Sequence, residues 1–362
     1  MARIELDHIR HAYGERPKSE ADYALKEVHH TFVDGSAYAL LGPSGCGKTT
    51  LLNIISGLLR ASEGRLRFNG VDVTELSTQE RNIAQVFQFP VVYDTMTVYD
   101  NLAFPLRNRG VAESEVDRKV RETLEIIDLA SLADRRAAGL GADQKQKISL
   151  GRGLVRSDVN AILFDEPLTV IDPQMKWVLR SQLKQLHRRY GFTMVYVTHD
   201  QTEALTFAEK VVVMYDGQIV QIGTPDELFE RPSHTFVGYF IGSPGMNVLP
   251  VGVEGSRARL GNQIIELPSA PTAARQDFEL GIRPEFVRLG REGMPVRIEK
   301  IEDTGRRKIV RAELEGREIA LIAAEEEEIP AEPHVTFAPE GINLYADSWR
   351  VDLGDGAGRP VR

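Results

Sequence analysis

The stretch GPSGCGKTT, residues 42–50, holds the groups that a polyphosphate needs. Gly42, Gly45 and Gly47 let the backbone turn so that successive N–H groups face one anion. Pro43, Ser44 and Cys46 fill the loop between them, and the small Cys46 side chain fits there without a nucleophilic role. Lys48 brings a point charge to the β- and γ-phosphates, and the Thr49 hydroxyl can hold Mg²⁺, with Thr50 beside it. The spacing is G-x-x-x-x-G-K-[ST], and it has meaning only between a strand and a helix. SAYALLG (36–42) reads as a buried strand and TTLLNIISGLL as the following helix, so that condition is met.

Mg²⁺ also needs one or two carboxylates. AILFDE (161–166) supplies them as Asp165 and Glu166, directly after an apolar run. Ligands of open α/β sheets gather at that end of a strand. Asp165 is expected to hold the metal, and Glu166 to polarise a water at the γ-phosphate.

These groups need a sheet to position them. FTMVYVTHD (192–200) reads as another buried strand, separated from AILFDE by a helix that starts at Pro173. Alternation of this kind predicts a parallel sheet covered by helices. KVVVMYDGQIVQIG carries Asp216-Gly217 between two β-rich runs and predicts a hairpin. TPDELFERP then opens a helix at Pro225. About residues 90–160 the pattern is helical, with VAESEVDRKVRETLEIIDLA its clearest segment. After GSPGMN (242–247) come short β-like pieces, including VLPVGVEG, FELGIRPEFVRL and KIVRAELEG, which predict a second, all-β domain. We therefore expect domains at 1–240 and 241–362. EEEE (325–328) reads as a solvated turn.

Bulk properties remove several function classes. The chain has 362 residues, with 44 Lys and Arg against 53 Asp and Glu, a net charge of −9 that argues against nucleic acid as a partner. One cysteine permits no disulfide framework and fits a reducing compartment. The charged start MARIELDHIR does not read as a signal peptide, and no run of about 18 apolar residues predicts a bilayer span.

The motifs occur in a diagnostic order. The phosphate loop precedes VFQFP (86–90) with Gln88, then LFDEPLTVID ending at Asp172, then VYVTHD with His199. This set resembles the ATP-binding cassette (ABC) ATPases over residues 1 to about 240. The tail, most visibly GIRPEFV (281–287), resembles the regulatory domain of maltose-type carbohydrate-importer ATPases. QFPVVYDTMTV together with KQKISLGRGLV most resembles the ATPases of a bacterial glycerol importer.

The resemblance implies a P-loop NTPase fold: a RecA-like core with an antiparallel β part and a helical insert, followed by an OB-like (TOBE-type) domain. It implies ATP and Mg²⁺, membrane permease subunits as partners, and a peripheral place on the cytoplasmic face of the bacterial inner membrane. Tyr13 would stack on adenine, with Tyr23 as the competing aromatic. Gln88 would touch Mg²⁺ and the water and link the site to the permease. His199 would bond the γ-phosphate, and Asp172 would organise the contact between two ATPase subunits.

One motif departs from the family pattern. Where LSGGQ is usual, the chain reads Leu140, Gly141, Ala142, Asp143, Gln144. That segment closes over ATP held by the other subunit, so a carboxylate there opposes a phosphate. Two unit charges about 4 Å apart interact by roughly 1 kcal/mol in water and about 4 at an effective dielectric near 20. Asp143 either faces the phosphate or turns away to cap its helix. Lys145 and Lys147 either offset the charge or form a solvated helix face. An intact hydrolytic set beside a non-matching signature points to a heterodimer with a second ATPase. A soluble ABC ATPase without a transport role, and a nucleotide-gated scaffold with one non-hydrolysing site, are the competing readings.

Overall fold

The computed structural model describes residues 1–14, 17–156, 158–271 and 277–353. It divides into two compact units, Met1–Thr224 and the chain from Pro225 onward.

The first unit begins with β1 (Ile4–His11), β2 (Leu25–Phe32), β3 (Ala37–Leu41), α1 (Lys48–Ser56), β4 (Glu63–Phe68), β5 (Val71–Asp72) and β6 (Ala84–Val86). A helical stretch follows, with α2 (Val98–Arg107), α3 (Glu113–Ile126) and α4 (Ala142–Leu154). The unit closes with β7 (Ile162–Asp165), α5 (Pro173–Tyr190), β8 (Met194–Thr198), α6 (Gln201–Phe207), β9 (Lys210–Tyr215) and β10 (Gln218–Gly223).

Two sheets form. A four-stranded antiparallel sheet runs β2-β1-β4-β5, and a six-stranded sheet runs β10-β9-β3-β8-β7-β6. In the larger sheet β9, β3, β8, β7 and β6 are parallel, and only β10 is antiparallel. The two central strands, β3 and β8, are buried along their whole length, as a sheet covered on both faces requires. One core joins Ile4, Leu6 and Leu66 of the antiparallel sheet to Leu51, Leu52 and Ile55 of α1 and to Leu40, Leu163 and Val195 of the parallel strands. That core fixes the loop between β3 and α1. The Asp216-Gly217 hairpin is present, with φ of 48° and 76°, the left-handed pair that a two-residue hairpin turn uses. Among the described residues no helix is long and apolar enough to cross a membrane.

The second unit opens with helices α7 (Pro225–Glu230) and α8 (Thr235–Phe240), and the rest of its described residues form one six-stranded sheet and two three-stranded sheets, with short 3-10 turns at Pro284–Phe286 and Pro339–Gly341. Its apolar core includes Leu249, Phe278, Leu280, Val310, Leu321 and Leu344. The compact units divide at Thr224, earlier than the division near residue 240 expected from the sequence. The reason lies in the GIRPEFV stretch. Arg283 is buried there and donates to the carbonyls of Leu228, Phe229 and Ile241, so it ties both short helices to the β domain. Burial brings its guanidinium down to about 10. The Tyr345 hydroxyl adds a bond to the Pro232 carbonyl, 3.0 Å.

Candidate nucleotide site

The loop from Gly42 to Thr49 leaves β3 and enters α1 at Gly47, the N-cap residue. Gly45 and Gly47 have φ of 82° and 98°, and a Cβ on Gly42 would sit 2.2 Å from the Met214 carbonyl oxygen. Each glycine is therefore required, two for their dihedrals and one for clearance. Lys48 is only 5% exposed, and its Nζ donates to the carbonyls of Gly42 and Pro43 at 2.9 and 2.8 Å. The loop thus wraps around one ammonium at the start of a helix. Cys46 is buried, and burial pushes its thiol up, which opposes a nucleophilic role.

Thr49 Oγ1 donates to Asp165 Oδ1 at 3.1 Å, so the hydroxyl and the carboxylate share one point. Burial raises the Asp165 carboxyl above its usual range, and nearby Glu166 adds to that. A half-buried carboxylate beside a hydroxyl, both hard oxygen donors, fits Mg²⁺. Glu166 follows with φ of 45°, a left-handed conformation unusual for glutamate. Its N–H bonds the Val197 carbonyl, and its Oε2 lies 3.0 Å from His199 Nδ1. Two neighbouring strand ends, β7 and β8, therefore bring Glu166 and His199 together.

The other expected residues fall around this centre. Tyr13 is 70% exposed, and its hydroxyl pairs with Thr50 Oγ1 at 2.9 Å. Tyr23 is engaged elsewhere: Arg10 lies 3.9 Å from its ring centre and its hydroxyl donates to Glu63. Of the two aromatics, Tyr13 is the one placed at the loop with an open face. Asp172 is exposed and caps α5, accepting from the Gln174 N–H at 2.9 Å. Gln88 is half-buried in the segment after β6.

Sequence reading passed over the residue that holds that segment. Gln146, on α4, is 1% exposed, and its Nε2 donates to the carbonyls of Phe87 (3.0 Å) and Pro167 (2.8 Å). Phe87 precedes Gln88, and Pro167 follows Glu166. One amide thus joins both arms of the site. Ser149 and Arg152 of the same helix hold the N–H and the carbonyl of Val91. The signal was a polar residue at an inward helical position, which only the helix phase reveals. A second omission lies four residues after His199. Glu203, 3% exposed, accepts from Tyr196 (2.9 Å) and Thr198 (3.0 Å) and lies 3.3 Å from Lys176 Nζ. Burial and Glu203 together push the Tyr196 phenol well up.

At the departing motif, Gly141 is the N-cap of α4, and Gln144 Oε1 reaches back to its N–H at 3.2 Å. The capping bond therefore comes from Gln144, and the capping reading of Asp143 is corrected. Asp143 is exposed in the first turn, with Oδ1 2.9 Å from where a Cβ on Gly141 would stand. Leu140 is buried and Ala142 exposed. The solvated-face reading of the lysines is also corrected: Lys145 pairs with Asp94 at 2.8 Å, and buried Lys147 lies 3.6 Å from Asp128.

Comparison with known proteins agrees with this geometry. The ABC transporter family model matches residues 25–169, and the MalK OB fold domain model matches residues 242–287. The trehalose import ATP-binding protein SugC of Mycobacterium tuberculosis is 46% identical over 250 residues, which span 69% of this chain and 62% of that protein. The sn-glycerol-3-phosphate import ATP-binding protein UgpC of Bordetella avium is 40% identical, covering 86% of this chain and 85% of its own. The UgpC of Bordetella bronchiseptica is 38% identical over 94% and 95%. Among solved structures, the ATP-binding cassette MJ0796, a dimer in a post-hydrolysis state with ADP and Pi, matches with a TM-score of 0.55 and 27% identity over 61% of this chain and 98% of that one. A full-length relative at this identity, two family models in order and a phosphate loop facing Asp165 and Glu166 agree: the chain belongs to the ABC transporter family, with its nucleotide-binding domain followed by a MalK OB fold domain.

Proposed function

We propose that this chain hydrolyses ATP to energise an importer of a small polyol or sugar, with glycerol the first substrate to test. The observation that carries the reading is the convergence of Thr49 on Asp165 (3.1 Å) and of Glu166 on His199 (3.0 Å) beside the Lys48 loop. Gly42 to Thr50 bind the phosphates through backbone N–H groups and the Lys48 ammonium. Tyr13 stacks on the base. Glu166 takes a proton from the attacking water, and His199, beside Glu166, bonds the γ-phosphate. Thr49, Asp165 and Gln88 hold Mg²⁺, which when bound supplies charge neutralisation on the phosphate oxygens.

The exposed apolar side chains Phe87, Phe89, Val91 and Tyr93 support contact with permease subunits. That assignment puts the chain on the cytoplasmic face of the bacterial inner membrane, as a peripheral subunit. Asp172, at an exposed helix start, faces a second ATPase. The exposed carboxylate of Asp143 supports a different chain as that second ATPase, because two copies of this one would place an acid over both nucleotides. The same observation favours, as a second reading, a nucleotide-gated scaffold in which one site binds without turnover.

Purification from mild detergent, identification of the co-purifying subunits and uptake of labelled glycerol test the assignment. Co-purification with nucleic acid and without membrane subunits would refute it. The Asp143→Gly variant tests the pairing: raised turnover in the assembled complex places the carboxylate over a phosphate. Vigorous cooperative hydrolysis by the lone wild-type chain rules out the heterodimer.

A further inference from the structure

A second cluster lies on the face of the antiparallel sheet opposite its core, away from the nucleotide. In β1 the buried positions run Ile4, Leu6, Ile9, so the two-residue alternation slips by one at Asp7 and His8. The pairing with β2 jumps from Leu6–His30 to Ile9–Val28, which sets Asp7 and His8 together against the single residue His29. This is a β-bulge, and it turns two consecutive side chains to one face where a regular strand would separate them. His8 takes φ of 53°, and Gly64 of β4 clears its carbonyl: a Cβ there would stand 2.3 Å from the His8 oxygen.

We propose that Asp7, His8 and His29 form a binding site for a divalent transition-metal cation of the Zn²⁺ class. One oxygen, Asp7 Oδ1, lies 3.7 Å from His8 Nε2 and 3.7 Å from His29 Nδ1. One donor atom from each residue falls within 4.8 Å of the others. Bonds of about 2.0–2.2 Å in tetrahedral array put ligand atoms roughly 3.4 Å apart, so the two Asp7 distances close by a few tenths of an ångström and the two exposed imidazoles approach each other by at most about 1.4 Å. The outer contacts have the arrangement that metal-ligating histidines use. Glu27 Oε1 bonds His8 Nδ1, which turns Nε2 toward Asp7 and raises its basicity. Arg67 holds the other Asp7 oxygen at 3.0 Å and leaves Oδ1 facing the two rings. Two imidazoles and one carboxylate select a borderline cation over Mg²⁺, so this site and the nucleotide site do not compete. A bound ion clips β1 to β2, and β1 ends two residues before Tyr13.

The test uses the full chain, purified without a histidine tag and stripped of metal, in buffer containing Mg²⁺. Zn²⁺ is titrated by calorimetry and Co²⁺ by its visible absorption. One Zn²⁺ per chain with Kd on the order of micromolar is expected, as is a tetrahedral Co²⁺ spectrum. His29→Ala and His8→Asn should each weaken binding by at least about tenfold. Asparagine tolerates the left-handed φ, so the second variant keeps the bulge. Nucleotide binding by both variants confirms that they fold. No saturable Zn²⁺ binding, or one-to-one binding of unchanged affinity in both folded variants, overturns the proposal. In that case the cluster is an ion-paired patch around Asp7.

Discussion

Replacing Gln146 by leucine separates the two arms of the site without touching any group that meets ATP. The side chain is 1% exposed, so water does not replace the bonds it loses. Its Nε2 donates to the carbonyls of Phe87 and Pro167 at 3.0 and 2.8 Å. Orphaning a buried acceptor costs about 1–3 kcal/mol, and two are orphaned here. Leucine has a similar shape, and it also removes Oε1, a buried atom with no bonding partner, which returns about 1 kcal/mol. A net loss of about 1–5 kcal/mol follows. Global stability registers part of it. The remainder falls on the tether between the Gln88 segment and the turn after Glu166, which must move together for the site to form. At 1.4 kcal/mol per decade, a loss of 1.4–2.8 in the assembled site lowers kcat about 10- to 100-fold. KM for ATP should change little, because Gly42 to Thr50 are intact. Steady-state hydrolysis by the assembled complex, with thermal melting in parallel, reads both effects. A variant that melts lower but keeps kcat within about twofold would show that Gln146 only packs, and the coupling argument would fail.

Three further outcomes follow from the same geometry. Glu166→Gln should bind nucleotide while losing about 100-fold or more in turnover, because the amide keeps the length of the side chain and cannot take the proton; equal turnover in a single-turnover assay would remove Glu166 as the base. Asp165→Asn should raise the melting temperature of the nucleotide-free chain at pH 7 and abolish Mg²⁺-dependent hydrolysis. The Asp165 carboxyl is held above its unfolded value by burial, so its ionisation removes stability as pH rises through the folded value, and the amide carries no such cost. His30, packed edge-on to Phe32 and Tyr38, is lowered by burial to about 4 from 6.5. Between those values the unfolded chain binds a proton that the folded chain refuses, so stability falls as pH drops from about 6.5 to 4. His30→Phe should flatten that slope in urea midpoints measured across the range.

The parallel sheet could be read because its strands carry their own evidence. Ala37–Leu41 and Met194–Thr198 are unbroken apolar runs, and a strand buried on both faces has no other composition available. Pro173 fixed the start of α5 to the residue, since proline at a first helical position is local chemistry, and the structure adds Asp172 as its cap. The boundary between units was not local. Residues 225–240 follow the hairpin without a break in pattern, and their attachment rests on residues more than 40 positions away, Arg283 and Tyr345 among them. The bulge in β1 was equally hidden: LDHI reads as a plain strand with an irregular step, and only the partners β2 and β4 show that the step turns Asp7 and His8 to one face.

The site divides along the same line. Residues fixed by backbone geometry were legible, because a glycine spacing followed by lysine and threonine has few physical solutions, and a carboxylate at a strand end lies where that strand delivers it. Residues fixed by helix phase were not. LGADQKQK offered Asp143 as its evident oddity, yet the same eight residues hold Gln146, whose importance depends on which face of α4 meets the sheet. Lys145 and Lys147 looked like a charged surface and proved to pair with Asp94 and Asp128, because α4 packs against the helical stretch along that side. The stretch therefore does two jobs. The inward face of α4 ties together this chain's own site, and its first turn presents Asp143 outward. Asp143 and Gln146 stand three residues apart on α4, so the double variant separates the two roles: effects on kcat that multiply show independent action, and a departure from the product shows coupling through the helix.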